Sequence, residues 1–185
     1  MRKTIILTIA LLLLAASSGL AQKLEDQPGY LPIEQLDLFP ADKLSVEVNL
    51  EGIVLRMIAE ATRREDPGFS AVVAGLKSIK VQVFPLAGVD AGSIKTRIGR
   101  AVRWLEDRGW QSTLKVREQG EETYIYTKES DGKIAGLTLL SMEPGDEAVV
   151  INIVGRIDPA QIGRLGQSLD IPQLERVPAS GKKPE

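Results

Sequence analysis

The stretch that decides the fold is Ala148-Val-Val-Ile-Asn-Ile-Val-Gly-Arg-Ile157. Alternate residues of an extended strand point to opposite faces, and here both faces are apolar. One face carries Val149, Ile151 and Ile153, and the other carries Ala148, Val150 and Val154. Only Asn152 interrupts this pattern. A strand that is apolar on both faces is typical of the interior of a sheet covered on both sides. We therefore predict a central strand that lies beside the segment 134–142.

The segments just before this strand predict a run of sequential antiparallel strands. Asp131-Gly132 is a two-residue hairpin signal, and Pro144-Gly145 fits the central positions of a type II turn. Alternating segments at 110–116 and 123–128 supply two more strands. The C-terminal half is therefore expected to be a four-strand antiparallel meander.

The N-terminal half alternates between strand and helix patterns. Residues 44–50 and 79–83 have the period of strands, and 53–64, 67–77 and 93–108 have apolar stripes at helical spacing. A short final helix is predicted at 159–169. The resulting order, βααβαββββα, predicts an α+β fold in which helices pack on an antiparallel sheet.

The sequences at both ends of the chain predict segments that lie outside the α+β domain. Residues 1–21 have the basic start, apolar run and small residues before Gln22 of a signal peptide cleaved after Ala21. The apolar run is shorter than the roughly 20 residues that a bilayer core requires. We expect an irregular N-terminal arm at 22–43, one α+β domain at 44–173 and a disordered tail at 174–185. The mature protein should be soluble and periplasmic or extracellular. It should not be a lipoprotein, since no cysteine follows the leader.

Composition excludes several classes of function. The 185 residues include no histidine and no cysteine, and the formal net charge is −2. The chain therefore has no Ser-His-Asp triad, cysteine nucleophile, disulfide or histidine-held metal. An acidic exported protein is also a poor nucleic-acid binder. Phosphate-binding glycine motifs are absent from the sequence, and we expect no cofactor.

Several segments resemble a known family. Ser45-Val-Glu-Val-Asn-Leu50, Leu76-Lys-Ser-Ile-Lys-Val-Gln-Val83, Trp110, Tyr124-Ile-Tyr126, Gly132 to Leu139 and Val150 to Asp158 carry the resemblance. Together they resemble domain-of-unknown-function family 4252 over roughly residues 40–172. That family comprises small bacterial proteins with signal peptides, some of them encoded near extracytoplasmic-function sigma factors. The resemblance implies an envelope protein with a link to stress signalling, and it supplies no catalytic residue.

Acidic and serine residues in turns are the nearest approach to catalytic chemistry. Carboxylates crowd three predicted turns, at 118–122, 129–131 and 143–147. They could bind a hard cation such as Ca²⁺, but no known ligand spacing supports this and solvated turns are the simpler interpretation. Ser130 and Lys133 have Ser-x-x-Lys spacing, yet the Asp131-Gly132 turn between them removes the helical geometry which that chemistry requires. We predict no catalytic and no metal-binding residues.

Aromatic and arginine residues give the candidate interaction sites. Arg97, Arg100 and Arg103 recur on the third helix opposite its apolar stripe, and could meet an anionic surface or simply be solvated. Trp104 lies near this row. Tyr124 and Tyr126 share one strand face, where they could form an interface or the rim of a core.

These patterns favour a non-catalytic extracytoplasmic binding or interaction module. The alternatives are a carboxylate-based hydrolase or metal-dependent enzyme, and a binder of membrane surfaces or anionic polymers through the arginine helix. The helices 53–64 and 93–108 could cover one sheet face, so the other should be left partly bare near Tyr124 and Tyr126. A protein partner, a second copy or the N-terminal arm would then dock there.

Overall fold

The described part of the chain folds as six antiparallel strands in one sheet with three α-helices packed on it. The computed structural model describes residues 23–39, 41–118 and 120–158. The predicted signal peptide 1–21, final helix 159–169 and tail 174–185 lie outside the described residues. Across the described ranges, every helix is too short or too polar to cross a membrane.

The elements follow the predicted order as far as the described residues reach. The strands are β1 (Val46–Glu51), β2 (Leu76–Pro85), β3 (Gln111–Glu118), β4 (Glu121–Ser130), β5 (Lys133–Met142) and β6 (Glu147–Ile157). The helices are α1 (Gly52–Thr62), α2 (Pro67–Gly75) and α3 (Ala91–Asp107). Short 3-10 helices occupy Leu24–Asp26, Ile33–Leu36 and Ala41–Lys43. The predicted α+β class with a C-terminal meander is confirmed.

The strand that is apolar on both faces is central, as its sequence predicts. The sheet order is β1-β2-β6-β5-β4-β3, so β6 lies between β2 and β5. Val150, Ile151 and Ile153 are each 1% exposed, although they point to opposite faces. Both layers of the fold therefore meet on this strand.

Capping and turn residues in the sequence determine where helices begin and where the β4–β5 hairpin turns. The Asp66 side chain accepts a hydrogen bond from the Phe69 N–H at the start of α2, and Asp90 caps α3 in the same way through Ser93. Asp131 and Gly132 both have positive φ, as the two-residue hairpin between β4 and β5 requires. These caps and turns depend on side chains within a few residues, which is why the sequence alone predicts them.

The two faces of the sheet are covered by different elements. We call the face under α1 and α2 the helix-pair face, and its core includes Leu55, Phe69 and Ile153. We call the opposite face the arm face. It is covered by α3 together with residues 23–39 of the N-terminal arm, whose buried apolar residues are Leu31, Ile33, Leu36 and Leu38. The arm is therefore part of the core rather than an appendage.

The expectation of a bare sheet face near the two tyrosines is wrong. Tyr124 is 5% exposed and Tyr126 is 2% exposed, and both pack in the core beneath α3. The expectation assumed that α1 and α3 cover the same face. Because they cover opposite faces, and the arm fills the space beside α3, no docking surface exists at this pair.

A buried asparagine fixes the arm on the sheet. The Asn152 side-chain oxygen accepts a hydrogen bond from the Leu31 N–H at 3.1 Å, and its amide group donates to the carbonyls of Gly29 and Leu137. Gly29 crosses Gly136 so closely that a Cβ on Gly29 would lie 2.0 Å from the Ala135 carbonyl oxygen. The one polar residue in the central strand thus satisfies the backbone of the arm that covers it.

An ion pair fastens the same arm at its outer side. Lys80 Nζ on β2 donates to Glu34 Oε1 of the arm and lies 3.6 Å from Glu47 Oε1 on β1. Burial is the largest single influence on Lys80 and disfavours its charged form, but the hydrogen bond to Glu34 and the charges of Glu34 and Glu47 together outweigh burial and raise the pKa of Lys80. Desolvation acts on Glu34 as well, yet the bond from Lys80 lowers the pKa of Glu34.

The first strand differs from its sequence pattern. Its alternation predicts a half-buried strand, but Val46 is 46% exposed and Val48 is 37% exposed. Among the described elements β1 pairs only with β2, and it forms one edge of the sheet. The period of a strand marks a face suited to burial, but it does not supply the element that buries it.

Candidate functional site: a basic cleft between α3 and the β3–β4 hairpin

A cleft of about 380 Å³ opens where α3 crosses the outer strands of the meander. We call it the basic cleft. It is lined by Lys95, Thr96, Ile98, Gly99 and Val102 on α3, Lys115 and Arg117 on β3, and Glu122 and Tyr124 on β4. Its volume lies within the range of small-ligand sites in proteins.

Residue spacing explains why these side chains meet. Ile98 is buried toward the sheet, so α3 presents neighbouring residues such as Lys95 along the edge of its buried stripe. Lys115 and Arg117 are two residues apart on β3 and therefore share a face, and Lys115 is paired with Tyr124 across the ladder. The walls of the cleft are thus a helix and a hairpin, both rigid elements.

The β4 side of the cleft is an ordered hydrogen-bond network. The Tyr124 hydroxyl donates to Glu122 Oε2, and Arg117 Nε lies 3.2 Å from Glu122 Oε1. Arg117 also donates to the Tyr124 hydroxyl oxygen at 3.4 Å. Burial, followed by the hydrogen bond to Glu122, raises the pKa of Tyr124. The phenol therefore stays protonated at neutral pH, and the carboxylate is already engaged within the protein.

The remaining charges in the cleft are positive. Lys115 Nζ lies 5.0 Å from the centroid of the Tyr124 ring, which is cation–π geometry. Within the described residues, neither Lys95 nor Lys115 is paired with a carboxylate. Three cations and one carboxylate give the lining a formal charge of +2, whereas the whole chain carries −2. The lining of the cleft is therefore net positive in a protein whose formal net charge is negative.

The predicted arginine row is only partly a free surface. Arg97 donates to the Asp37 carbonyl oxygen and Arg100 lies 3.3 Å from an Asp37 carboxylate oxygen, so both bind the N-terminal arm. Arg103 is exposed on α3. Trp104 is half-buried, and the Arg108 guanidinium stacks 3.8 Å above its ring. The structure brings Arg97 and Arg100 together at Asp37.

The two tyrosines have different roles. Tyr124 lines the basic cleft and hydrogen-bonds to Glu122 there. Tyr126 lies beneath α3, where its hydroxyl donates to Glu106 Oε1 at 3.2 Å. Burial and the charge of Glu106 raise the pKa of Tyr126 to about 12. Tyr126 is thus a core residue whose hydroxyl is satisfied by the helix.

The acidic turns and the serine–lysine pair lie at the hairpins that join the meander strands. No group of three acidic side chains within the described ranges is placed to hold a metal ion. Glu121 accepts hydrogen bonds from Thr123 on β4 and Ser141 on β5, and so its side chain links these two strands. Ser130 and Lys133 face each other across the two-residue hairpin, as the sequence predicts.

Sequence reasoning named Tyr124 but missed the cleft that contains it. Lys95 and Lys115 belong to polar faces that look like ordinary solvated surfaces, and nothing in the local pattern shows that α3 crosses β3. The one available signal is the alternation of Lys115 and Arg117 beside a crowd of glutamates. It indicates a charged strand face, but not the helix opposite to it.

Comparison with known proteins places the chain in a family. The family model described as a domain of unknown function, DUF4252, matches residues 41–165. The chain is a member of the DUF4252 family. The match begins before β1 and includes all six strands, so the shared unit contains the basic cleft. Neither a curated protein nor a solved structure matches the chain.

Proposed function

We propose that this DUF4252 protein is a non-catalytic binding module that takes a phosphate group of its ligand in the basic cleft. The observation that carries the proposal is the convergence of Lys95, Lys115 and Arg117 on one cleft of an otherwise acidic protein. Hydrogen bonds from cationic donors to an anion are among the strongest that proteins form. A concave site with rigid walls adds geometric selection to that attraction.

The rest of the lining supports a phosphate attached to a small organic stem. Val102 and the ring of Tyr124 give the cleft an apolar side, which suits the carbons of a glycerol or sugar. The Thr96 hydroxyl donates to the Gly92 carbonyl, which leaves its oxygen able to accept a hydrogen bond from a ligand hydroxyl. Phosphorylated lipid headgroups and phosphorylated glycans share this chemistry.

A carboxylate-based enzyme finds less support in this cleft. Such chemistry needs two carboxyl groups with different pKa values, one of them raised by its surroundings. The cleft contains one carboxylate, Glu122, and it is held by Arg117 and Tyr124. The arrangement favours binding over hydrolysis.

We extend the proposal to where the protein acts. The pattern of residues 1–21 supports export with cleavage after Ala21, which would place the cleft in the periplasm or outside the cell. The link to envelope stress signalling is supported by the family resemblance. N-terminal sequencing of the protein purified from the envelope should start at Gln22, and a start at Met1 would contradict export.

Calorimetric titration with glycerol 3-phosphate tests the proposed ligand. Lys115→Gln removes one of three cations and should weaken binding about tenfold or more, since a charge-assisted hydrogen bond contributes about 1.5–3 kcal/mol. Lys133→Gln is the matched control, because Lys133 is exposed on the opposite hairpin turn and changes the net charge equally. Its affinity should stay within about twofold.

Two further probes distinguish the source of the phosphate. Vesicles containing phosphatidylglycerol test a lipid headgroup, and inorganic phosphate tests the anion alone. Equal weakening by both substitutions would mean that only net charge matters, and the cleft would not be the site. No saturable binding of any of the three probes would overturn the proposed function.

A further inference from the structure

The β1 edge of the sheet carries an uncovered apolar surface. Val46 and Val48 on β1 are 46% and 37% exposed. On the adjoining helix α1, Ile53, Val54 and Met57 are 64%, 40% and 65% exposed. These five side chains, the β1 edge patch, are the large apolar residues that the described structure leaves exposed. Patches of this kind mark interaction surfaces.

The strand and helix parts of the β1 edge patch lie on the same side of the sheet. Leu50, which shares a face with Val46 and Val48, packs against the core of the helix-pair face. In that layer α1 contacts β1 and β2, whereas α2 contacts β6. The outer helix and the outer strand therefore end at one common border of the molecule.

The two edges of the sheet are protected differently. The β3 edge carries Lys115 and Arg117, and its pairing with β4 shifts register between Ser112 and Leu114. Charges and bulges of this kind hinder the addition of another strand. The β1 edge lacks both basic residues and any register shift from Val46 to Glu51. Its outward N–H and C=O groups, on alternate residues, are available for pairing.

We propose that a second copy of this chain adds its own β1 antiparallel to this edge, with the two-fold axis at Val48. In that register Val48 faces Val48 of the copy, and Val46 faces Leu50. Glu47 faces Asn49, and Glu51 faces Ser45. The sequence of β1 is thus complementary to itself, with apolar residues opposite apolar ones and no like charges opposed.

Neighbouring registers lack this match. An axis at Glu47 places two glutamates opposite each other, and an axis at Asn49 places Glu47 opposite Glu51. Like charges directly opposite destabilise a strand pair. In the proposed register Glu47 also keeps its own partners, since it accepts a hydrogen bond from Gln82 and lies near Lys80. Charge pairing therefore favours the register with its axis at Val48 over the two neighbouring registers.

A modest dimer requires only a limited buried surface. The largest apolar patch on a typical monomer has an area of roughly 300–600 Å². Two such patches together approach the about 1,000 Å² of buried surface at which specific interfaces begin. The twelve-stranded sheet that results would place Met57 and Ile53 of both copies along the joint. This self-association goes beyond the proposed ligand binding and uses the opposite edge of the sheet.

Cysteine cross-linking tests the proposal, because the chain has no native cysteine. Directly opposed Cα atoms in an antiparallel pair are about 4.5–5.5 Å apart, within the range of a disulfide. Val48→Cys should therefore link to itself. Val46→Cys is the matched control: Val46 is an exposed valine on the same face, but its two copies would be about 14 Å apart along the strand direction at 3.4 Å per residue. We expect at least tenfold more linked dimer from Val48→Cys under mild oxidation.

Sedimentation equilibrium supplies an independent readout. The unmodified protein should have twice the monomer mass at about 100 µM, and Met57→Lys should restore the monomer without lowering the melting temperature, because Met57 is exposed. Gln111→Lys, on the β3 edge, should remain dimeric. A monomeric unmodified protein, or equal linking by Val46→Cys and Val48→Cys, would overturn the proposal.

Discussion

Removing the Asn152 side chain should release the N-terminal arm from the sheet. Asn152 is 2% exposed and makes three hydrogen bonds, to the Leu31 N–H and to the carbonyls of Gly29 and Leu137. Asn152→Ala leaves these groups buried without this partner. An unsatisfied buried polar group costs about 1–3 kcal/mol, so we expect a loss of about 3 kcal/mol or more in the free energy of unfolding.

Asn49→Ala is the matched control for this change. Asn49 lies in the same row of the sheet, since Lys80 pairs with Asn49 on one side and Asn152 on the other, but it is exposed. Its loss should alter the free energy of unfolding by no more than about 0.5 kcal/mol. Urea denaturation measures both variants, and hydrogen exchange at the Leu31 amide should accelerate only in Asn152→Ala. If both variants lost the same stability, or if the Leu31 amide stayed protected, the arm would be held by its apolar residues alone.

Two further perturbations test the packing of the arm face. Tyr126, whose pKa is raised to about 12, favours the neutral form in the folded state. The free energy of unfolding should therefore fall as the pH rises from about 10, the pKa of an unfolded tyrosine, toward 12. Urea denaturation at about pH 9 and about pH 11 measures this loss. The free energy of unfolding should fall less between these pH values in Tyr126→Phe than in the unsubstituted protein, and an equal fall in both would contradict the burial of the Tyr126 hydroxyl. Gly29→Ala should destabilise by about 1–3 kcal/mol through its clash with the Ala135 carbonyl. Gly99→Ala is the control inside α3, where an added Cβ would lie 3.8 Å from the nearest atom, and it should raise the free energy of unfolding by about 0.5–1 kcal/mol. Thermal denaturation that changes stability in the same direction for both variants would refute the close approach at Gly29.

The sequence alone determined the features that depend on nearby residues or on the spacing of apolar residues along one element. The double apolar face of 148–157 predicted a central strand, and Asp66-Pro67 and Asp131-Gly132 predicted a helix start and a hairpin. Each of these signals acts over one turn or one strand. The α+β class follows from their order, because it needs no knowledge of which element touches which.

The tertiary structure alone decided which partner each apolar face received. The patterns of Val46–Val48 and of Tyr124–Tyr126 look equally suited to burial, yet the first pair is exposed and the second is buried. Which residues of the sheet are covered depends on the faces on which α1 and α3 pack, and on the N-terminal arm, which docks through Asn152. The basic cleft arises in the same way, because a helix brings Lys95 to a strand about twenty residues later. Alternation records only the period of a face, whereas burial and clustering depend on contacts between segments far apart in the chain.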